Sequence, residues 1–153
     1  MPRVMSNYDR SNAITAVDFA ASETARRLAA ELLDAHAAAD RQRISEALLD
    51  ELADCAKIDI CRVKISDTRQ YHRRRGGRTV FKQYGYYRPQ TNYIYIHNRT
   101  AVRGQILAAK SFLETLLHEW LHHYDFRVLR LHSIHTSGFY LRLQSLKQQL
   151  GVG

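Results

Sequence analysis

The chain has 153 residues, a length that fits one domain able to bury a sizeable apolar core. Hydrophobic residues make up 45% of it, yet no run approaches the 18 or more apolar residues that a membrane-spanning helix requires. Basic residues outnumber acidic ones 23 to 15, and the resulting net charge of +8 favours polyanionic partners, nucleic acid first among them.

The N-terminus and the cysteines indicate where the protein works. Residues 1–13 are polar and unpatterned, which predicts a flexible leader, and they lack the apolar run of a signal peptide. The two cysteines, Cys55 and Cys61, are too few and too badly spaced for a disulfide framework or a zinc knuckle. We therefore expect a cytoplasmic protein with a single domain over residues 14–153.

The first half of that domain begins with helical periodicity and then changes period. Apolar residues recur at helical spacing over residues 14–36 and again over 41–56, where Asp40 is a suitable cap. Residues 58–65 are instead rich in β-branched side chains and predict a strand. Residues 66–78 are polar and basic and end in a Gly-Gly turn signal, so they are predicted to be a connection.

Two further strands and two helices are predicted after this connection. Residues 79–88 and 92–97 are β-branched and aromatic, and the Pro89 turn between them predicts a hairpin. A long helix follows over residues 105–129, and a loop over 132–136 leads into a last helix with one apolar stripe. Two helices, three strands and two helices in this order predict an α+β domain with a three-stranded sheet.

The long helix contains the pattern His-Glu-x-x-His, formed by His118, Glu119 and His122. Residues four apart lie on the same face of a helix, so both imidazoles can reach one ion, and zinc accepts such nitrogen ligands. Glu119 follows the first histidine, where its carboxylate can act as the general base that takes a proton from the attacking water. The pattern therefore predicts a catalytic zinc site.

A catalytic zinc site needs a third protein ligand and one open position. No Glu follows Glu119, and Asp125 and Val128 occupy the positions where a His-Glu-x-x-His-x-x-Gly-x-x-His site needs Gly and His. Four downstream candidates remain, namely His123, Asp125, His132 and His135. His123 points about 100° away from His122 around the helix. Asp125 is better suited to orienting a ligand than to binding the ion, whereas the two later histidines follow the helix.

These segments resemble a known family, the SprT-like zinc metallopeptidases, which include the Spartan-type proteases. The similarity lies in residues 117–122, Leu-His-Glu-Trp-Leu-His, followed by residues 135–139, His-Thr-Ser-Gly-Phe, which open a helix. The resemblance implies a small zincin-like fold in which His135 is the third zinc ligand and Phe139 occupies a matching core position. Thr136 stands where the family usually has Gly, and His132 remains the alternative ligand.

A basic segment precedes the second strand, and its arginines Arg73, Arg74, Arg75 and Arg78 suit contact with phosphates. Members of the resembled family act on proteins crosslinked to DNA, which makes this segment a possible DNA-facing surface. The alternative is a solvated loop without a partner. Two tyrosines near the motif, Tyr124 and Tyr140, are both candidates to stabilise the oxyanion that forms on hydrolysis.

The sequence thus predicts a zinc-dependent endopeptidase that cleaves protein substrates, including proteins on DNA. Two alternatives remain open. In a non-enzymatic, zinc-stabilised module that binds nucleic acid, four protein ligands would close the metal site, for instance with both His132 and His135. The motif is also compatible with a zinc hydrolase that cleaves a non-protein bond.

Overall fold

The computed structural model describes residues 4–69, 71–75, 78–101 and 103–153, and within residues 69–83 it describes the backbone alone. Helices and strands both occur in this part of the chain, which confirms the α+β class. The helices are α1 (Asn7–Ala13), α2 (Glu23–Leu32), α3 (Ala38–Ala56), α4 (Ala109–Arg127) and α5 (Ser137–Gln149). The strands are β1 (Arg62–Arg69), β2 (Tyr71–Arg75), β3 (Arg78–Gln83), β4 (Gly85–Arg88) and β5 (Tyr93–Arg99).

The main sheet has three strands in the order β1-β5-β4, with β5 in the centre. Strand β5 runs parallel to β1 and antiparallel to β4, so the predicted hairpin between residues 88 and 93 is confirmed. Ile94 and Ile96 are fully buried, while their chain neighbours Tyr93, Tyr95 and His97 are half-buried. This is the alternation that a sheet with one face on a core produces.

Helix α4 lies across the buried face of the sheet and forms the centre of the core. Trp120 and Leu116 of α4 have no exposed surface and share the apolar cluster with Leu48 of α3 and Ile96 of β5. The helix that carries the His-Glu-x-x-His pattern is therefore held by packing along its length. Among the described helices, none is both long and apolar enough to cross a membrane.

The basic segment is not the simple connection that its composition predicts. Strand β1 continues to Arg69, and β2 and β3 pair with each other as a separate antiparallel two-stranded sheet. Hydrogen bonds between antiparallel backbones do not depend on side-chain polarity, so the polar composition did not indicate a strand. The single strand predicted over residues 79–88 is accordingly divided between two sheets. Gly85 begins β4, and a Cβ atom there would lie 2.5 Å from the carbonyl oxygen of Tyr95, so glycine allows this close pairing.

The first long helix is shorter than predicted. It was expected over residues 14–36, but α2 begins after Ser22, whose hydroxyl accepts the N–H of Ala25 at 3.1 Å. The preceding segment is irregular and lies against α4 and α5 instead. Its backbone N–H groups donate to side chains of those helices, Val17 to Ser145, Asp18 to Tyr124 and Ala21 to Gln149. These tertiary hydrogen bonds take the place of helical ones. No local sequence pattern could indicate them, because their partners lie in α4 and α5.

The predicted leader over residues 1–13 contains helix α1, which packs against α5. The hydroxyl of Ser6 caps it by accepting the N–H of Asp9, and Ser11 is buried. Asn12 Oδ1 accepts from Gly138 N and Ser137 Oγ, both at 2.9 Å. Helix α1 is attached by polar contacts rather than by an apolar stripe, and for this reason it gave no periodic signal.

Gly138 provides a test of the contact between α1 and α5. A Cβ atom at this position would lie 2.7 Å from Asn12 Cα and closer still to the carbonyl oxygen of Ser11. We expect Gly138→Ala to lower the free energy of unfolding by about 1–3 kcal/mol, because the backbone of α1 must move. In an ordinary helix, replacing glycine with alanine instead raises the free energy of unfolding. Urea unfolding of both proteins in the same metal state measures the difference, and a more stable variant would contradict this packing.

Candidate metal centre

His118 and His122 lie on one face of α4, one turn apart. Their ring centroids are 5.1 Å from each other, and both side chains are half-buried. The packing of α4 on the sheet fixes the backbone on which they stand. The two histidines of the motif are therefore neighbours, as the helical spacing predicts.

His135 completes a cluster of three imidazoles. It lies in the loop between α4 and α5, yet its Nε2 atom is 3.0 Å from Nε2 of His118 and 3.1 Å from Nε2 of His122. All three ligand atoms lie within 4.8 Å of one another, as a shared ion requires. Tetrahedral bonds of 2.0–2.1 Å place two ligand nitrogens roughly 3.3 Å apart, which is close to the two distances measured from His135.

Phe139 forms the floor of this cluster. Its fully buried ring lies 5.0, 4.7 and 5.3 Å, between centroids, from the rings of His118, His122 and His135. Thr136 stands where the resembled family usually has Gly. Its hydroxyl caps α5 by accepting the N–H of Phe139 at 3.0 Å. Threonine at this position is therefore compatible with a loop that turns His135 toward α4.

The other candidate ligands lie outside the cluster. The backbone N–H and C=O of His132 form two hydrogen bonds, both of 2.8 Å, with the side-chain amide of Asn7, and the ring packs on Phe126. His123 faces the opposite side of α4, where its ring nitrogens contact the Tyr87 hydroxyl and the Asp59 carbonyl oxygen, each at 2.8 Å. Neither imidazole belongs to the group that could share an ion.

Helix α1 holds the loop that carries His135. In addition to the two bonds between Asn7 and His132, Arg10 Nη2 donates to the carbonyl oxygen of Leu129 at 2.8 Å. The segment expected to be a leader is thus a support for the candidate centre. Its contribution was missed because the contacts join residues more than 100 positions apart in the sequence.

The protonation of the two motif histidines suits a metal site. Burial and, to a smaller extent, the neighbouring His135 together lower the pKa of His118 to about 4, against a small opposing effect of Glu114. Burial also lowers the pKa of His122 to about 3, with His118, His135 and Arg142 acting in the same direction. Both rings are therefore neutral at pH 7, which is the form that binds a metal.

Glu119 is a buried carboxylic acid with a free oxygen. Its side chain is 8% exposed, and its Oε2 atom is buried with no hydrogen-bond partner among the described residues. Burial raises the pKa of Glu119 to about 7. A general base works best when its pKa lies near the working pH, so this environment suits proton transfer at neutral pH.

A buried polar network, which the sequence did not predict, lies behind His122. The Ser133 hydroxyl is 2.7 Å from His122 Nδ1 and 2.8 Å from Asp125 Oδ2. Arg142 of α5 in turn donates to both carboxylate oxygens of Asp125, at 3.1 and 2.9 Å. Burial raises the pKa of Asp125, whereas the bonds from Arg142 and Ser133 lower it. Asp125 was suggested as an orienting residue by its spacing, but Ser133 and Arg142 carry no local signal.

The structure separates the two candidate tyrosines. Tyr124 is buried, and its hydroxyl accepts the backbone N–H of Asp18 at 2.8 Å. Tyr140 is 50% exposed, and its ring centroid lies 6.0 Å from that of His135 and 6.3 Å from that of His118. Tyr140 alone of the two borders the histidine cluster.

The arginines predicted to contact nucleic acid lie on β2 and β3. Arg73, Arg74 and Arg75 belong to β2, and Arg78 begins β3. Their side chains are outside the described part of the structure, so their contact with DNA stays a prediction.

Comparison of the chain with family models, with curated proteins and with solved structures found no match.

Proposed function

We propose that this chain is a zinc-dependent endopeptidase of the SprT-like type, with a zincin-like active site. In this proposal His118, His122 and His135 hold the zinc ion, and Glu119 is the general base. The observation that carries it is the convergence of three histidines, each with one ligand nitrogen within 4.8 Å of the others, two of them on the helix where Glu119 directly follows His118. The buried Oε2 atom of Glu119 has no hydrogen-bond partner among the described residues. Three imidazole ligands with a fourth position open are typical of catalytic zinc.

Different residues of the site have different roles in the proposed hydrolysis. When bound, zinc supplies Lewis-acid polarisation of the scissile carbonyl and lowers the pKa of water. Glu119 accepts the proton of the attacking water and then returns it to the leaving amine. The Oε2 atom, for which the described part of the chain offers no hydrogen-bond partner, is the proposed site of that proton. Tyr140, which borders the cluster and is half exposed, is the tyrosine available to stabilise the oxyanion.

The proposed substrates are proteins, and proteins associated with DNA are favoured by charge. The chain carries a net charge of +8, and the sequence concentrates arginines at positions 73–75 and 78. Arginine side chains neutralise phosphates and position a protein on DNA without reading its sequence.

The competing function is a non-enzymatic zinc-stabilised module that binds nucleic acid. Such a site needs a fourth protein ligand, and His132 was the candidate for it. The backbone of His132 is bound to Asn7 and its ring packs on Phe126, so the described residues offer three histidines rather than four. This arrangement favours the enzymatic proposal.

Metal content tests the proposed site directly. We expect purified wild-type protein to contain about one zinc ion per chain by elemental analysis, and His135→Ala to lose most of it. His132→Ala is the matched control, since it removes an imidazole three residues earlier in the same loop, and it should keep its zinc. Loss of zinc from both variants would favour a closed structural site. A metal-free wild type, purified without chelator, would contradict the proposal.

A further inference from the structure

The Nδ1 atom of His122 has a defined partner, and this partner determines the state of the ring. His122 has one nitrogen, Nε2, facing His135 at 3.1 Å, and the other, Nδ1, facing Ser133 Oγ at 2.7 Å. Among the described residues, neither His118 nor His135 has a comparable hydrogen bond to Nδ1. His122 is thus the imidazole of the cluster whose orientation is fixed from behind.

The direction of these hydrogen bonds follows from counting hydrogens. Arg142 is always charged, and its two-pronged contact holds Asp125 as a carboxylate, which can only accept. Ser133 has a single hydroxyl hydrogen, and the carboxylate oxygen at 2.8 Å takes it. The hydroxyl oxygen can therefore only accept from His122, and the proton of the neutral ring must be on Nδ1.

The position of the serine hydroxyl is itself well supported. Arg142 is fully buried and also donates to the backbone carbonyl oxygens of Ser11 and Ile14, at 2.5 and 2.6 Å. Asp125 is fully buried as well. The Asp125 carboxylate on α4, which orients Ser133, is therefore held by Arg142 of α5, and Arg142 is in turn held by the segment around α1. The carboxylate has little freedom to turn.

We propose that Ser133 is a positioning residue, which holds His122 as the Nδ1–H tautomer so that the Nε2 lone pair faces the centre of the histidine cluster. This proposal rests on the proposed function in one respect, namely that a metal ion binds at the centre of the cluster. Partners of this kind orient a ligand imidazole and increase its basicity, and their loss commonly reduces metal affinity about 10–100-fold.

The tautomer can be measured in metal-free protein, independently of any metal. Nitrogen-15 NMR of the imidazoles at neutral pH distinguishes a protonated Nδ1 from a protonated Nε2. We expect His122 to be the Nδ1–H tautomer in wild type and to lose this preference in Ser133→Ala. Ser133→Thr retains a hydroxyl and should restore it. Ser137→Ala, which removes a hydroxyl from the start of α5 that bonds to Asn12, is the matched control and should resemble wild type.

Zinc affinity, measured by competition with a chromophoric chelator, is the second readout. We expect Ser133→Ala to bind zinc about 10–100-fold more weakly than wild type, with Ser137→Ala unchanged and Ser133→Thr largely restored. A protonated Nε2 in wild-type His122, or an unchanged tautomer and affinity in Ser133→Ala, would overturn the role of Ser133. If wild type binds no zinc, the proposed function fails, whereas the role of Ser133 in holding the His122 tautomer is not affected by that result. The tautomer experiment still decides whether Ser133 fixes the ring.

Discussion

Glu119→Gln is expected to reduce peptide cleavage by about 10²–10⁴-fold while leaving the metal in place. General-base catalysis contributes rate factors of this size, and glutamine retains the shape of the side chain without its basicity. The carboxylate is buried, and its Oε2 atom has no partner among the described residues. Since Glu119 is outside the three-histidine group, the zinc content of this variant should equal that of wild type.

A cleavage assay on fluorophore-labelled casein measures this effect, with and without added single-stranded or duplex DNA. Glu114→Gln is the matched control, because it removes a carboxylate from the same helix that pairs with Lys147 at the surface. We expect this control to retain its activity. Full cleavage by Glu119→Gln would contradict the proposed mechanism. If the wild-type protein cleaves casein only when DNA is added, DNA is an activator.

Arg142→Met is expected to lower the free energy of unfolding by about 3–5 kcal/mol. Arg142 and Asp125 have no exposed side-chain surface, and Arg142 Nη2 lies 2.9 Å from Asp125 Oδ2. Removing one partner of a buried ion pair leaves the other charge uncompensated, and this accounts for the size of the loss. Urea unfolding of the two proteins in the same metal state measures it.

A partly exposed ion pair between α5 and α4 provides the control for Arg142. Lys147 lies 3.3 Å from Glu114 with both side chains partly exposed, so Lys147→Met should cost only about 0–1 kcal/mol. Arg142→Lys keeps the charge without the two-pronged contact and should be intermediate. Equal losses in Arg142→Met and Lys147→Met would show that burial of the pair is not decisive.

Arg142 also connects overall stability to the candidate centre. It contacts α1 through Ser11, and it contacts the polar network behind His122 through Asp125. Helix α1 in turn holds the loop of His135 through Asn7 and Arg10. The polar contacts that secure the N-terminus are thus the same ones that support the loop next to the histidine cluster.

The secondary structure was predictable where one local period dominates. Strand β5 alternates apolar and polar residues, and α4 has helical spacing without interruption, so both were found within a few residues of their observed bounds. The prediction was wrong at residues 66–78, where β2 forms, and over residues 14–36, where the helix is shorter. Strand β2 forms by backbone pairing with the next strand, β3, whereas the segment before α2 donates backbone N–H groups to side chains more than 100 residues away. Composition reports neither kind of hydrogen bond.

The sequence by itself determined the pair His118 and His122 and the position of Glu119, because helical geometry relates residues one turn apart without reference to the rest of the chain. The tertiary structure decided the rest of the candidate site. His135 reaches the pair across 13 and 17 residues, and the loop that carries it is held by hydrogen bonds from α1, which lies more than 100 residues earlier. The contact of Ser133 with His122 and the clamp of Arg142 on Asp125 depend on how α4, α5 and the N-terminal segment meet. Contacts of this kind arise from packing in three dimensions and leave no periodic trace in the sequence.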